Sequence, residues 1–360
     1  MSDTSAPSSG RRALHTRVCD LFGVQFPIVQ TGMGWVAGAR LTAATSAAGG
    51  LGIIASATMT LAELEQAIRE VKERTDKPFG VNLRADQPDI DDRISLLIRE
   101  GVRVASFAQA PRREVIARLK DAGVVTMPTI GARRHAEKVA EWGVDAVIAQ
   151  GAEGGGHTGS VPTSLLLPQV VDAVDIPVLG AGGFTDGRGL VAALAWGADG
   201  IAMGTRFLLT RESTVPEVIK QIYLSRTVND TVVTRAVDGY PQRVIRTEVV
   251  DELERSTMLT RLPKALRNAL AFRKLTGTSF LDLLREGLAM KRNQDLTWSQ
   301  VAMAANAPML IKAALVDGRP EVGILPTGQG VGVIDDLPTV AELVQRIMAE
   351  ADRVLAALSR

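Results

Sequence analysis

The fold is indicated most directly by the segment PVLGAGGFTDGRGLVAALAWGADGIAMGTR, residues 177–206. It contains two short apolar runs, at 177–180 and 200–203, which are separated by a segment of helical character. Each run is followed at once by a loop that contains glycine. Apolar runs that alternate with helices are typical of parallel strands joined by crossover helices. The segment therefore predicts one strand–helix–strand unit of a parallel sheet.

The same alternation extends through the N-terminal half of the chain. Six further apolar runs lie at residues 27–30, 51–55, 79–83, 102–106, 124–127 and 144–149. Each of the eight runs except the last is followed by a segment of helical periodicity, which predicts an α/β fold of the (β/α)8, or TIM, barrel type. An open doubly wound sheet is the alternative. It is disfavoured because no G-x-G-x-x-G fingerprint follows a strand near the N-terminus.

The pattern divides the chain into four parts. Residues 1–13 are rich in Ser, Gly and Pro and predict a disordered tail. Residues 14–212 are expected to form the barrel and to bind the cofactor. Residues 213–310 carry many charges and several helical stretches without a series of buried strands, so they predict a helical lid over the barrel mouth. Residues 311–360 are expected to return and to pack a C-terminal helix on the barrel.

Composition limits the classes of function. Lys and Arg number 41 and Asp and Glu 40, so the net charge of +1 does not favour a nucleic-acid partner. Cys19 is the only cysteine, which excludes an intrachain disulfide and favours a reducing, cytoplasmic setting. No stretch approaches the ~18 apolar residues of a membrane span, so no membrane partner is expected. The histidines are far apart and predict no metal site. A homodimer is compatible with the sequence.

The loops after the last two predicted strands indicate a phosphate site. In barrels of this type the carboxyl ends of the strands meet at one mouth, and phosphates bind after the seventh and eighth strands. Gly182 and Gly183 follow the seventh strand, and Gly204 and Thr205 follow the eighth. Glycines let backbone amides approach a phosphate closely, and the threonine hydroxyl adds a donor. One such loop alone would be explained as a turn, but two at neighbouring strands favour a phosphorylated ligand.

The loop at 151–159, after the sixth strand, contains the candidate catalytic histidine. His157 lies among glycines at the expected mouth, which predicts a general acid or base, or a hydrogen-bond donor, near neutral pH. The alternative is a loop histidine bonded to a carbonyl group. Glu153 either pairs with His157 or is solvated. His135 lies on an amphipathic helix and is assigned no catalytic role.

Six motifs in this order resemble the nitronate monooxygenase family, formerly called 2-nitropropane dioxygenases. They are PIVQTGM (27–33), AGGLG (48–52), FGVN (79–82), GGGHTG (154–159), AGGFTDGRG (181–189) and MGTRF (203–207). The resemblance extends over about residues 17–355. It implies a barrel with a helical second domain and a non-covalently bound flavin mononucleotide (FMN).

The resemblance also implies roles for individual residues. His157 would be the catalytic histidine. The flavin ring would lie against Gly32 and Met33, and its edge would bond to Asn82 and Gln150. The phosphate would be held by Gly182, Gly183, Gly204 and Thr205. The other expected cofactor contacts are Thr129, Gly155 and Ala181.

The activity that the resemblance implies is that of an FMN-dependent oxidoreductase. Within the family, the chain is most similar to an actinobacterial branch that acts on CoA-ester intermediates of steroid C/D-ring breakdown. This implies a cyclic enone or hydroxy CoA thioester as substrate and NAD(P)H as redox partner. The basic residues in segment 255–274 form either a solvated helix face or a patch for the phosphates of acyl-CoA or of the nicotinamide cofactor.

Three alternatives accompany this interpretation. Two belong to the same family: oxidation of nitronates by oxygen, and reduction of quinones by NAD(P)H. Thr129 stands where many nitronate enzymes have a lysine near the flavin, and the loss of this cation argues against nitronate oxidation. The third alternative is a phosphate-binding barrel without redox chemistry.

Overall fold

The computed structural model describes residues 14–255 and 306–360. Its central feature is a closed barrel of eight parallel strands, which confirms the predicted (β/α)8 fold. The strands are β1 (Ile28–Gln30), β2 (Leu51–Ala55), β3 (Phe79–Leu83), β4 (Val104–Phe107), β5 (Val125–Ile130), β6 (Val147–Gln150), β8 (Val178–Ala181) and β9 (Gly200–Met203). They pair in chain order, and β9 pairs with β1 to close the barrel, with Met203 opposite Gln30.

One helix, α1, precedes β1, and a further helix follows each barrel strand. They are α1 (Arg17–Phe22), α2 (Ala39–Ala47), α3 (Leu61–Arg74), α4 (Ile90–Arg99), α5 (Arg113–Asp121), α6 (Arg133–Glu141), α7 (Thr163–Val171), α8 (Gly187–Ala195) and the short α9 (Thr205–Leu208). Helix α3 shows how the sequence sets its position. Thr60 and Glu63 form a capping box at its start, and Leu64, Ile68 and Val71 are buried at helical spacing.

The interior of the barrel is filled by apolar side chains. One buried cluster contains residues from most of the strands, among them Val29, Ile53, Val104, Met127, Ile148 and Leu179. These side chains are β-branched or long, and they pack in the layers that are usual inside such barrels. Because the interior is occupied, a ligand is expected at the mouth, where the strands end.

Beyond residue 212 the described chain also contains strands, and this corrects the expectation of a purely helical lid. Strands β10 (Thr231–Thr234) and β11 (Gln242–Ile245) are antiparallel, and β11 also pairs with β7 (Gly156–His157). Helix α10 (Glu217–Leu224) precedes β10, and α11 (Glu248–Arg255) follows β11. Residues 256–305, with the helical stretches expected there and most of the basic segment 255–274, lie outside the described residues, as does the tail 1–13.

The C-terminal part returns to the barrel. Helix α12 (Asn306–Leu315) reaches the mouth, where the indole Nε1 of Trp35 donates a hydrogen bond to the carbonyl of Pro308 at 3.0 Å. Helix α13 (Val340–Leu358) packs on α8, and a Cβ at Gly187 would lie 2.5 Å from the amide nitrogen of Ala351. This is the C-terminal helix that the sequence predicts. In the described ranges, no helix is both long enough and apolar enough to cross a membrane.

Candidate active site

A cleft of about 740 Å³ opens at the carboxyl ends of the barrel strands. Its lining includes every residue that the sequence and the resemblance assigned to the site. These residues are Gly32, Met33, Asn82, Thr129, Gln150, Gly155, His157, Ala181, Gly182, Gly183, Gly204 and Thr205. The structure therefore brings together residues that are up to 173 positions apart in the chain. Their roles toward a cofactor stay predictions.

One end of the cleft is a phosphate cradle, the name used below for Gly155, Gly182, Gly183, Gly204 and Thr205. Gly182 and Gly183 adopt φ angles of +100° and +81°, which L-residues with side chains rarely adopt. A Cβ at Gly182 would lie 3.0 Å from Thr163 Oγ1 and 3.1 Å from the carbonyl oxygen of Gly151. Among the described residues, neither Gly182 nor Gly183 has a hydrogen-bond acceptor for its amide. Their two N–H groups are therefore available to a ligand.

The C-terminal segment closes this cradle. Thr205 Oγ1 accepts a hydrogen bond from the amide of Gly328 at 2.9 Å and lies 3.4 Å from Thr327 Oγ1. A Cβ at Gly155 would lie 2.5 Å from the Gly328 nitrogen, so this approach requires glycine. Backbone amides and hydroxyl groups are a donor set that binds phosphate. The cradle thus fits the phosphate group of a flavin nucleotide.

Another part of the cleft is lined by residues at the carboxyl ends of β1, β3 and β6. Gly32 packs against Asn82, and a Cβ at Gly32 would lie 3.0 Å from Asn82 Cγ. The side chain of Asn82 donates to Ser106 Oγ at 3.1 Å, which holds its amide group in one orientation. Gln150 Nε2 donates to the carbonyl of His157 at 2.7 Å. Gln150 therefore supports the chain around His157, in addition to any bond that it makes to a ring edge.

His157 lies on β7 and contacts a carboxylate. Its Nε2 is 2.8 Å from Asp238 Oδ2, and its ring meets that of Tyr240 edge to face, with centroids 5.9 Å apart. The side chain of His157 is 62% exposed at the cleft, whereas that of Asp238 is only 4% exposed. Burial, followed by the charges of Asp238 and Asp86, raises the pKa of Tyr240. The imidazole is thus held by a buried anion, and it is not a loop histidine bonded to a carbonyl.

Glu153 does not pair with His157, so that alternative is wrong. Its carboxylate accepts hydrogen bonds from the amide and the hydroxyl of Thr163, at 2.9 and 2.7 Å. Thr163 begins α7, where a negative charge is favoured by the helix dipole. Thr163 Oγ1 also lies 3.0 Å from the carbonyl oxygen of Gly182. Glu153 therefore stabilises the phosphate cradle.

Sequence reasoning missed the residues that surround the imidazole. Asp238, Tyr240 and Gln242, together with His157, are called the imidazole side below. The pair Asp238-Gly239, between two runs of β-forming residues, was the available signal, because Asp-Gly favours a hairpin turn. Gly239 has a φ angle of +92° in this connection. For Thr327 and Gly328 no local pattern indicated a place in the cleft.

Comparison with known proteins gives consistent similarities. A family model described as nitronate monooxygenase matches residues 15–350. The (3aS,4S,5R,7aS)-5-hydroxy-7a-methyl-1-oxo-octahydro-1H-indene-4-carboxyl-CoA dehydrogenase of Rhodococcus jostii (strain RHA1) is 61% identical, over 96% of this chain and 98% of that protein. The protein of the same name from Mycobacterium tuberculosis (strain ATCC 25618 / H37Rv) is 59% identical, over 94% and 96%. The solved structure of FabK from Thermotoga maritima is 36% identical with a TM-score of 0.77, and the match covers 96% of this chain and 98% of that one.

Proposed function

The chain belongs to the nitronate monooxygenase family and is a flavin-dependent oxidoreductase, and we propose that it is an FMN-dependent dehydrogenase of a bicyclic hydroxy-carboxyl-CoA thioester. One observation carries this proposal: the 61% identity to the Rhodococcus dehydrogenase, which extends over 96% of the chain. The substrate in that protein's name contains an indene-derived ring system, a hydroxyl group and a CoA thioester. The same class of substrate is proposed here.

FMN is the proposed form of the flavin because the cradle suits a single terminal phosphate. Gly182 and Gly183 offer amide donors, and Thr205 adds a hydroxyl beside Gly328. Bound in this cradle, FMN would supply the two-electron redox chemistry that side chains do not supply. The chain's own residues then have three tasks: to orient the substrate, to exclude water and to accept a proton.

His157 is the proposed proton acceptor. A dehydrogenation removes one hydrogen with two electrons and a second hydrogen as a proton, so it requires a base beside the substrate. His157 is the one histidine among the described residues that line the cleft. Imidazole is suited to this task near neutral pH. Asp238 supports the positive charge that the ring acquires on protonation, because the carboxylate is 2.8 Å away.

NAD(P)H or its oxidised form is the proposed second redox partner, which exchanges electrons with the flavin in a separate half-reaction. Nitronate oxidation is the second candidate, and the match to the nitronate monooxygenase family model favours it. Against it stands Thr129 on β5, a neutral residue at a cleft position where a lysine would place a positive charge. One set of experiments separates the two activities.

The test begins with the flavin. Purified protein is denatured, and the released flavin is identified by chromatography as FMN or as another flavin. The intact holoprotein is then mixed anaerobically with the hydroxy-indane carboxyl-CoA thioester, and with the corresponding free acid as control. We expect the visible flavin absorbance to bleach with the thioester and to remain with the acid.

The remaining arms distinguish the alternatives. NADH, NADPH and an alkyl nitronate are tested as electron donors, and oxygen uptake is recorded with the nitronate. Rapid oxygen uptake with the nitronate, together with no bleaching by the thioester, would replace the proposal by nitronate oxidation. A colourless protein that takes up no flavin would overturn the redox function altogether.

A further inference from the structure

Asp238 is the buried centre of a small hydrogen-bond network. Its Oδ2 is 2.8 Å from His157 Nε2 and also accepts a short hydrogen bond from Gln242 Nε2. Its Oδ1 accepts a hydrogen bond from the amide of Tyr240 at 3.1 Å. Asp238 and Gln242 are 3% and 1% exposed. The carboxylate is therefore held by three donors in a place that water hardly reaches.

These contacts determine where the proton of the imidazole lies. An ionised carboxylate can only accept hydrogen bonds, so the 2.8 Å contact requires a proton on His157 Nε2. Gln242 Nε2 also lies 3.2 Å from His157 Nε2, but a hydrogen bond there would need an acceptor on one of the two nitrogens. Both nitrogens donate to Asp238 instead. The neutral ring therefore carries its proton on Nε2, and its lone pair is on Nδ1.

The second ring nitrogen of His157, Nδ1, differs from Nε2 in its contacts. In residues 14–255 and 306–360, no group forms a hydrogen bond with it. The ring is positioned by backbone as well as by side chain, because β7 pairs with β11 and places His157 opposite Gln242. Gln242 thus holds β7 in place through backbone pairing, and it holds the Asp238 carboxylate through its side-chain amide. His157 and Gln242, which face each other in this pairing, are 85 positions apart in the chain.

We propose that Asp238, itself held by Gln242, is a positioning residue that keeps the proton of neutral His157 on Nε2 and makes Nδ1 the atom that accepts the substrate proton. This rests on the proposed function. In the reaction the substrate C–H or O–H bond breaks, its proton forms a bond to Nδ1, and the electron pair left behind forms the new C=C or C=O double bond. The second hydrogen would leave with its own electron pair, and the flavin of the proposed function would be the oxidant that accepts it. The resulting imidazolium is stabilised by Asp238, since a charge-assisted hydrogen bond is about twice as strong as a neutral one.

The first test determines which ring nitrogen of His157 carries the proton, and it requires no substrate. The holoprotein is labelled with ¹⁵N-histidine, and long-range ¹H–¹⁵N NMR spectra are recorded, with His157→Gln used to assign the signal of His157. We expect a protonated Nε2 and an unprotonated Nδ1 in the neutral ring. A proton on Nδ1 would overturn the proposal, whatever the substrate of the enzyme is.

The second test uses Asp238→Asn, which keeps the shape of the side chain and removes its charge. We expect kcat to fall by about 10²-fold or more, while KM changes little, because the ring loses support for its positive charge. Asp230→Asn is the matched control. Asp230 also caps a turn beside the same sheet, by accepting from the amide of Thr227 at 2.7 Å, but it does not line the cleft.

The two tests also separate this inference from the proposed function. If the CoA thioester is not a substrate, the kcat comparison is made with the donor that does bleach the flavin, and the tautomer is unaffected by that choice. Equal losses of activity in the Asp238 and Asp230 variants would show a merely structural role. If Asp238→Glu keeps most of the kcat that Asp238→Asn loses, this result would support the need for the negative charge at this position.

Discussion

The phosphate cradle and the imidazole side line the same cleft, but they are held by different kinds of contact. Four of the five cradle residues lie on the turns that directly follow β8 and β9, and Gly182 and Gly183 shape it with their positive φ angles. The imidazole side depends on pairing between β7 and β11, which are far apart in the chain. A local turn keeps its geometry by backbone conformation. A long-range pairing keeps it only as long as the whole sheet is formed.

The difference between the two regions predicts that a substitution on the imidazole side lowers the rate of the reaction and leaves flavin binding intact. His157→Ala should lower turnover by about 10²–10⁴-fold, because the base is removed while the cradle is unchanged. Stopped-flow bleaching by the CoA thioester measures the effect, and the flavin-to-protein absorbance ratio checks occupancy. His135→Ala is the control, since this exposed histidine lies on α6 and does not line the cleft. An unchanged rate in the His157 variant would remove this residue from the mechanism.

A substitution in the cradle should instead weaken flavin binding. Gly182→Ala introduces a side chain at a φ angle of +100° and within 3.0 Å of Thr163 Oγ1. We expect a loss of about 1–3 kcal/mol in the free energy of unfolding and a flavin Kd about tenfold or more higher. Denaturant titration measures the first quantity, and flavin fluorescence on titration of the apoprotein measures the second.

A control separates backbone strain from the loss of the cradle. Gly101 also has a positive φ angle, +63°, but a Cβ there would have no neighbour within 4 Å. Gly101→Ala should therefore lower the free energy of unfolding by about 1–2 kcal/mol without changing the affinity for flavin. A similar loss of flavin in both variants would contradict the role given to Gly182.

The smallest effect is expected at Glu153, which lies in the same loop as Gly155 of the cradle and His157 of the imidazole side. Glu153→Gln removes the negative charge at the start of α7 and should lower the free energy of unfolding by about 0.3–1 kcal/mol. The variant should retain the Nε2 proton of His157, because Glu153 contacts Thr163 and not the imidazole. Denaturant titration and the histidine NMR spectrum measure the two outcomes. A changed tautomer would show that the cradle and the imidazole side are coupled.

The barrel could be predicted because its signals are local. Each strand is an apolar run that is bounded by glycine or by a helix, as at Leu51–Ala55 and Gly200–Met203. A chain with eight such runs is compatible with only a few fold architectures. Gly182, Gly183, Gly204 and Thr205 could be located for the same reason. They follow the last two strands directly, and the direction of the strands places them at one mouth.

The three-stranded sheet was harder to predict. β7 consists of only Gly156 and His157, and a strand of two residues has no periodicity of its own. Its existence depends on β11, which offers its backbone at Gln242 and Arg243. The Asp238-Gly239 turn was visible in the sequence, but nothing local connects it with a loop about 80 residues earlier. For that reason the sequence left Glu153 as a candidate partner of His157.

The sequence by itself determined the barrel, the glycine turns at its mouth and the presence of a histidine there, because hydrophobic periodicity and backbone freedom are properties of neighbouring residues. The tertiary structure alone decided that Asp238 is the partner of His157, that Glu153 binds Thr163 beside the cradle and that Gly328 closes the cradle. These contacts join segments that meet only after the chain has folded. The contact between Asp238 and His157 is the one that we propose to fix the proton on the imidazole.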